Sequence, residues 1–259
     1  NENGNDNVFL GTKAGLCNKD GDHNVFLGHL TGWSNSNGSD NVMLGYKAGA
    51  SNNSGSCNVM IGYEAGINND KNKCVFIGYR AFSSATEAEF NVAVGTDCGH
   101  DATDASHNVL IGNDCGYSLT SGGYNVYIGE ECGKNGSGTT TNCNVAIGYQ
   151  AGYNTISSNN VFIGTQAGLQ NISGKNTVAI GTNSACNASN QNEDNVFIGT
   201  NSGSNFDSTI SSFFGGWANV FIGKDAGANA GCAWNVGIGV LSGYNITGFG
   251  NVNIGTGCG

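Results

Sequence analysis

The sequence contains no proline, and only 11% of its residues are charged. Proline removes a ladder hydrogen bond wherever it falls inside a sheet, so its absence suits a chain made almost wholly of ladders and tight turns. Basic residues are scarce too: nine lysines and arginines stand against nineteen acidic residues, for a net charge of -10. None of the nine cluster, so no basic patch exists to draw a phosphate backbone, and nucleic acid is excluded as an expected partner. No apolar run approaches the roughly 20 residues that a bilayer crossing needs, so no membrane insertion is expected. The ten cysteines include no C-x-x-C pair, which argues against zinc or dithiol chemistry and toward disulfides made in an oxidising compartment. Neither an initiator methionine nor a signal peptide opens the chain, which begins in the turn-like run Asn1-Glu2-Asn3-Gly4-Asn5-Asp6. A mature or cut extracellular or cell-surface protein is the consistent expectation.

Catalysis has no candidate residues. No serine or cysteine has a recognisable histidine partner, no carboxylate pair recurs, and the calcium-binding nonapeptide of RTX proteins is missing. His100, Asp101, Asp104 and His107 form a polar turn whose spacing matches no established metal site. An enzyme is not expected, nor is any cofactor or metal.

What the sequence does contain is a repeat. The motif N-V-x-[IL]-G-x-x-[AC]-G recurs fifteen times, from Val8 to Val252, mostly every 16 or 17 residues. A period that short cannot hold a helix pair and suits one coil of a solenoid. The expected fold is all-β: a parallel β-solenoid of about fifteen coils, one domain over residues 1–259. An aliphatic residue stands two places after each valine, so the pair points to one side of a strand and is expected to line the core. A glycine follows in every copy, and a second comes four residues later except where Phe82 and Ala185 replace it; these mark the corners. Small residues such as Ala14, Ala48, Cys98 and Ser202 just before the second glycine suit a narrow interior. Asparagine precedes the valine in all copies but those of Cys74 and Thr177, and coils stacked about 4.8 Å apart would let it form an amide ladder along the axis.

Runs such as Asn144-Val145-Ala146-Ile147-Gly148 and Thr177-Val178-Ala179-Ile180-Gly181 resemble the S-V-A-I-G repeats of YadA-like trimeric autotransporter adhesin heads. Similar repeats occur in phage tail-fibre proteins. The resemblance implies a left-handed parallel β-roll, three chains side by side, exposed on a cell surface and binding host or matrix molecules. The period here is longer, asparagine replaces serine, and neither a coiled-coil stalk nor an anchor barrel is present in this sequence.

The residue between valine and its aliphatic partner is then expected to face outward. It reads Phe9, Phe26, Met43, Met60, Phe76, Ala93, Leu110, Tyr127, Ala146, Phe162, Ala179, Phe197 and Phe221 before lapsing to Gly237 and Asn253. A continuous exposed apolar strip marks an association surface, which makes the chain its own expected partner in a homo-oligomer or head-to-tail filament. The one long insertion, residues 204–218, carries Phe206, Phe213, Phe214 and Trp217, residues that could dock a neighbouring subunit, stack on a carbohydrate or pack internally. Cys57 and Cys74 lie at nearly matching places in neighbouring coils and are the best disulfide candidates. Cys98, Cys115, Cys132 and Cys258 share the small-residue position. Sequons at Asn37, Asn52, Asn135, Asn171, Asn187 and Asn245 fall in polar turns where a glycan would reach solvent. The functions expected are a structural subunit of an extracellular filament, or the head of a trimeric surface adhesin; an ice-binding array ranks below both, because Thr12, Thr96, Thr165, Thr182, Thr200 and Thr256 share a position without filling it.

Overall fold

The computed structural model describes residues 2–136, 141–188, 193–206 and 216–259. These residues form an all-β chain of fifteen short parallel strands in solenoid coils, with no helix among them. Contacts divide the chain into two compact units, Asn1–Asn125 and Val126–Gly259. The first holds β1 (Val8–Leu10), β2 (Val25–Leu27), β3 (Val42–Leu44), β4 (Val59–Ile61), β5 (Val75–Ile77), β6 (Val92–Val94) and β7 (Val109–Ile111). The second holds β8 (Val126–Ile128), β9 (Val145–Ile147), β10 (Val161–Ile163), β11 (Val178–Ile180), β12 (Val196–Ile198), β13 (Val220–Ile222), β14 (Val236–Ile238) and β15 (Val252–Ile254).

Within each unit, sequential strands pair in parallel with the motif in register, Val25 opposite Val42 and Val161 opposite Val178. The register follows from the repeat, because a one-residue slip would carry every side chain to the other face. Each strand stops after three residues at a glycine corner. Gly28 has φ +137°, and a Cβ there would lie 2.1 Å from the carbonyl oxygen of Gly45 in the next coil. Only glycine permits both the dihedral and that approach. Six residues after each motif asparagine comes a second left-handed position, filled by Lys13, Leu30, Lys47 and Glu64 in the first four coils.

The core runs opposite to the side expected from the sequence. In the inner coils the central residue of each strand is buried, and the flanking valine and aliphatic residue are only partly so. Phe26, Met43, Met60, Phe76, Leu110, Phe197 and Phe221 are 0% exposed, Tyr127 and Phe162 1%. Three-residue strands alternate as any strand does, so one side chain enters a coil too narrow for two, and a large one fits. Phe26 lies against Gly32, where a Cβ would approach its ring to 2.6 Å. The small-residue row is buried as expected, including Ala48, Cys98 and Ser202.

The asparagines before the valines are also inside, and they form a ladder. In most coils each side-chain carbonyl accepts the backbone N–H of the corresponding residue in the next coil, as Asn24 Oδ1 does from Asn41 N at 3.0 Å and Asn41 Oδ1 from Asn58 N at 3.0 Å. Each amide donates to a turn carbonyl, Asn24 Nδ2 to Gly38 O at 2.9 Å and Asn41 Nδ2 to Gly55 O at 2.8 Å. Direct amide-to-amide bonds join several rungs, such as Asn219 to Asn195 at 3.0 Å. A second buried ladder, unforeseen from the motif, links Asn35 to Asn18 at 2.7 Å and Asn52 to Asn35 at 3.1 Å. A polar group buried without partners costs about 1–3 kcal/mol, so these columns hold each coil to the register of its neighbour.

Candidate assembly surface

Because each strand centre points inward, the valine and the aliphatic residue of every coil point out. In the first unit this gives a row of Val25, Val42, Val59 and Val75 beside a row of Leu27, Leu44, Ile61 and Ile77. In the second unit Ile147, Ile163 and Ile222 are each 36% exposed and Ile238 40%. No charged residue occupies either row. In β1 and β15 the same positions are barer still, Leu10 at 67% and Val252 and Ile254 at 68%. Such continuous apolar rows exceed the scattered exposed hydrophobics that any surface carries.

Aromatic columns extend the surface in the first unit. Beyond the glycine corner, His29, Tyr46, Tyr63 and Tyr79 stack ring on ring at 5.6, 4.9 and 5.2 Å. Two residues before the valine, Phe90, His107 and Tyr124 stack at 4.9 and 4.7 Å. These spacings follow the rise of the coils, about 4.8 Å. The ladders went unread in the sequence, although Tyr46, Tyr63 and Tyr79 recur at one motif position and that recurrence was the available signal.

The structure corrects the stripe Phe9, Phe26, Met43, Met60, Phe76, Leu110, Tyr127, Phe162, Phe197 and Phe221 as a self-association surface. All but Phe9, which is partly exposed, are buried, and Phe9 stacks on Phe26 at 5.0 Å. Those side chains fill the coils and are not available to a partner. Cys57 and Cys74 are not bridged. Cys57 sits in a left-handed position, φ 61°, and is exposed, whereas Cys74 takes the place of a ladder asparagine and is 0% exposed. A difference of one residue in offset sends the two thiols to opposite sides of the wall. The Cys74 thiol donates to Ala88 O at 3.2 Å, and burial pushes it up to about 11, against backbone hydrogen bonds from Asn91 and Phe90 that lower it.

Of the sequon asparagines, Asn52 and Asn171 are buried at 0% exposure and closed to a glycan, a second correction. Asn52 is a rung of the inner ladder, and the Asn171 amide donates to Gly174 O at 3.3 Å. Asn37, Asn135, Asn187 and Asn245 are exposed. In the inserted segment Phe206 is 0% exposed and packs on Phe197 and Phe221, with centroids at 5.4 and 6.2 Å, so it is core. Trp217 is 38% exposed beside Trp234 at 5.7 Å. Phe213 and Phe214 lie outside the described residues.

The histidine turn is held by stacking and hydrogen bonds. His100 stacks on Tyr117 at 4.8 Å, its Nδ1 bonds Asp101 at 2.6 Å, and its Nε2 meets the Arg80 guanidinium. His107 is engaged between Phe90 and Tyr124. No protein-family model matches this chain, and no curated protein matches it.

Proposed function

We propose that the chain is a structural subunit of an extracellular filament or surface fibre that self-associates through its outward valine and isoleucine rows. The observation that carries this is the pair of uncharged aliphatic rows in each unit, partly exposed in coil after coil. Two copies share the same coil period, so their rows match in pitch without adjustment. Head-to-tail stacking belongs to the same proposal, because each coil repeats the bonds of the last: Val25 N donates to Asn41 O at 2.8 Å and Val42 N to Asn58 O at 2.8 Å. Exposed sequon asparagines at Asn37, Asn135, Asn187 and Asn245 are compatible with an extracellular place.

A trimeric adhesin head, the reading drawn from the likeness to YadA-type repeats, uses the same face, with three copies meeting around it. Sedimentation velocity and negative-stain microscopy separate the two: open fibres support the filament, a closed trimer the head. Ile147→Lys with Ile163→Lys places charge in the row while leaving the core intact, and should abolish the lateral contact in either assembly. A wild type that stays monomeric at high micromolar concentration, or a double variant that assembles normally, would overturn the proposal.

A further inference from the structure

One cleft lies away from the aliphatic rows, in the first unit. Trp33, Ala50 and Ile67 hold the same position in three successive coils, joined by Ser34 N to Ala50 O at 2.9 Å and Ser51 N to Ile67 O at 2.8 Å. Trp33 is 42% exposed, whereas Ala50 is 7% exposed and stops at its Cβ. The gap between the indole and Ile67 is therefore floored by a methyl group, and it opens into a cavity of ≈ 360 Å³. Its other wall is the left-handed row Lys13, Leu30 and Lys47.

The charge at this cleft runs against that of the molecule. The chain has nine lysines and arginines in a net charge of -10, and two of the nine line this one cavity. Lys47 is partly answered by Glu64 at 3.8 Å and lies 5.2 Å from the Tyr46 ring centroid. Lys13 makes no ion pair among the described residues. An exposed indole, a small apolar floor and two lysines in the lining suit a ligand with an apolar face and an anionic group, in a space of the size that holds small ligands. We propose that this cleft binds a carboxylated saccharide, the sugar's C–H face lying on Trp33 and its carboxylate drawn by Lys13 and Lys47.

The proposal stands apart from assembly, because none of these residues lies in the valine or isoleucine rows. The test is titration calorimetry, with saturation-transfer NMR on the sugar protons, of the full chain against an oligogalacturonide trimer and its methyl ester. Saturable binding of the acid is expected, at least tenfold weaker for the ester and weakening as salt rises. Trp33→Ala and the pair Lys13→Gln, Lys47→Gln should each weaken binding tenfold or more. Ala50→Leu should abolish it by filling the floor, and the substitution suits the coil because Leu16 two coils before and Ile67 one coil after hold the equivalent position. Ile147→Lys with Ile163→Lys should leave binding unchanged whether or not it disperses the assembly. No saturable binding at millimolar sugar, equal affinity for the ester, or undiminished binding by Ala50→Leu would each overturn the proposal.

Discussion

The inward direction of the strand centre can be tested within one strand, β10, by truncating neighbouring side chains. Phe162 is 1% exposed, and its ring lies so close to Gly168 that a Cβ there would come within 2.4 Å of Cδ1. Removing that ring opens a cavity in a narrow coil with little freedom to collapse, and Phe162→Ala should cost about 3–5 kcal/mol. Ile163, next in sequence, is 36% exposed. Ile163→Ala removes three carbons; at about 0.8 kcal/mol per buried CH₂, discounted by the exposed third, the loss should be about 1.5 kcal/mol. Urea unfolding followed by circular dichroism gives both values, measured at concentrations where sedimentation velocity shows the monomer so that lateral assembly does not add to stability. An Ile163→Ala loss equal to or larger than that of Phe162→Ala would reverse the assignment of inside and outside, and with it the assembly surface.

Gly168→Ala should cost more than 2 kcal/mol in the same assay, since φ +64° is strained for alanine and the new Cβ meets the Phe162 ring; Ala185 holds the matching position at φ 51° in a coil whose strand centre is only Ala179. Asn41→Ala should cost about 1–3 kcal/mol for the Asn58 N–H it orphans, while the Gly55 carbonyl keeps the bond it accepts from Asn52 Nδ2 at 2.9 Å. The Cys74 thiol, raised to about 11 from 9.0 by burial, loses its proton more readily in the unfolded chain, so its contribution is full below pH 9 and is lost as pH rises through 11. Stability should therefore be about 2 kcal/mol lower at pH 10.5 than at pH 8, a loss that Cys74→Ala removes.

The coil period, the parallel register, the glycine corners, the small-residue row and the place of the asparagines were all legible in the sequence, because each is a spacing and spacings survive folding. The side each residue faces was not. A strand of Val-Phe-Ile is apolar at all three positions, so alternation alone allows either the centre or the two flanks to point inward. The same ambiguity undid the disulfide, since Cys57 and Cys74 looked equivalent only while the one-residue difference in offset carried no direction. It also undid Asn52 and Asn171, whose turn-like sequence hid that the turn folds back into the coil.

A signal for direction was nevertheless present, in the way side-chain volumes compensate. Where the strand centre shrinks to Ala93, Phe82 replaces a corner glycine one coil earlier, and its ring covers Gly99, with a built Cβ only 2.2 Å away. It also stacks on Phe76 at 4.6 Å. Where the centre shrinks to Gly237, the Phe221 ring of the preceding coil reaches across, 2.7 Å from a Cβ built there. Such trading of volume is required only of residues that share a closed interior, and it picks out the variable column as the core. The flanking columns behave in the opposite way: all fifteen strands begin with valine, and the third residue is always leucine, isoleucine or valine. Strand propensity alone would admit threonine, tyrosine or phenylalanine at such positions, and none occurs there. Residues that point out of the coil, yet stay valine, leucine or isoleucine along the whole chain, are what the proposed lateral contact with a second copy would require.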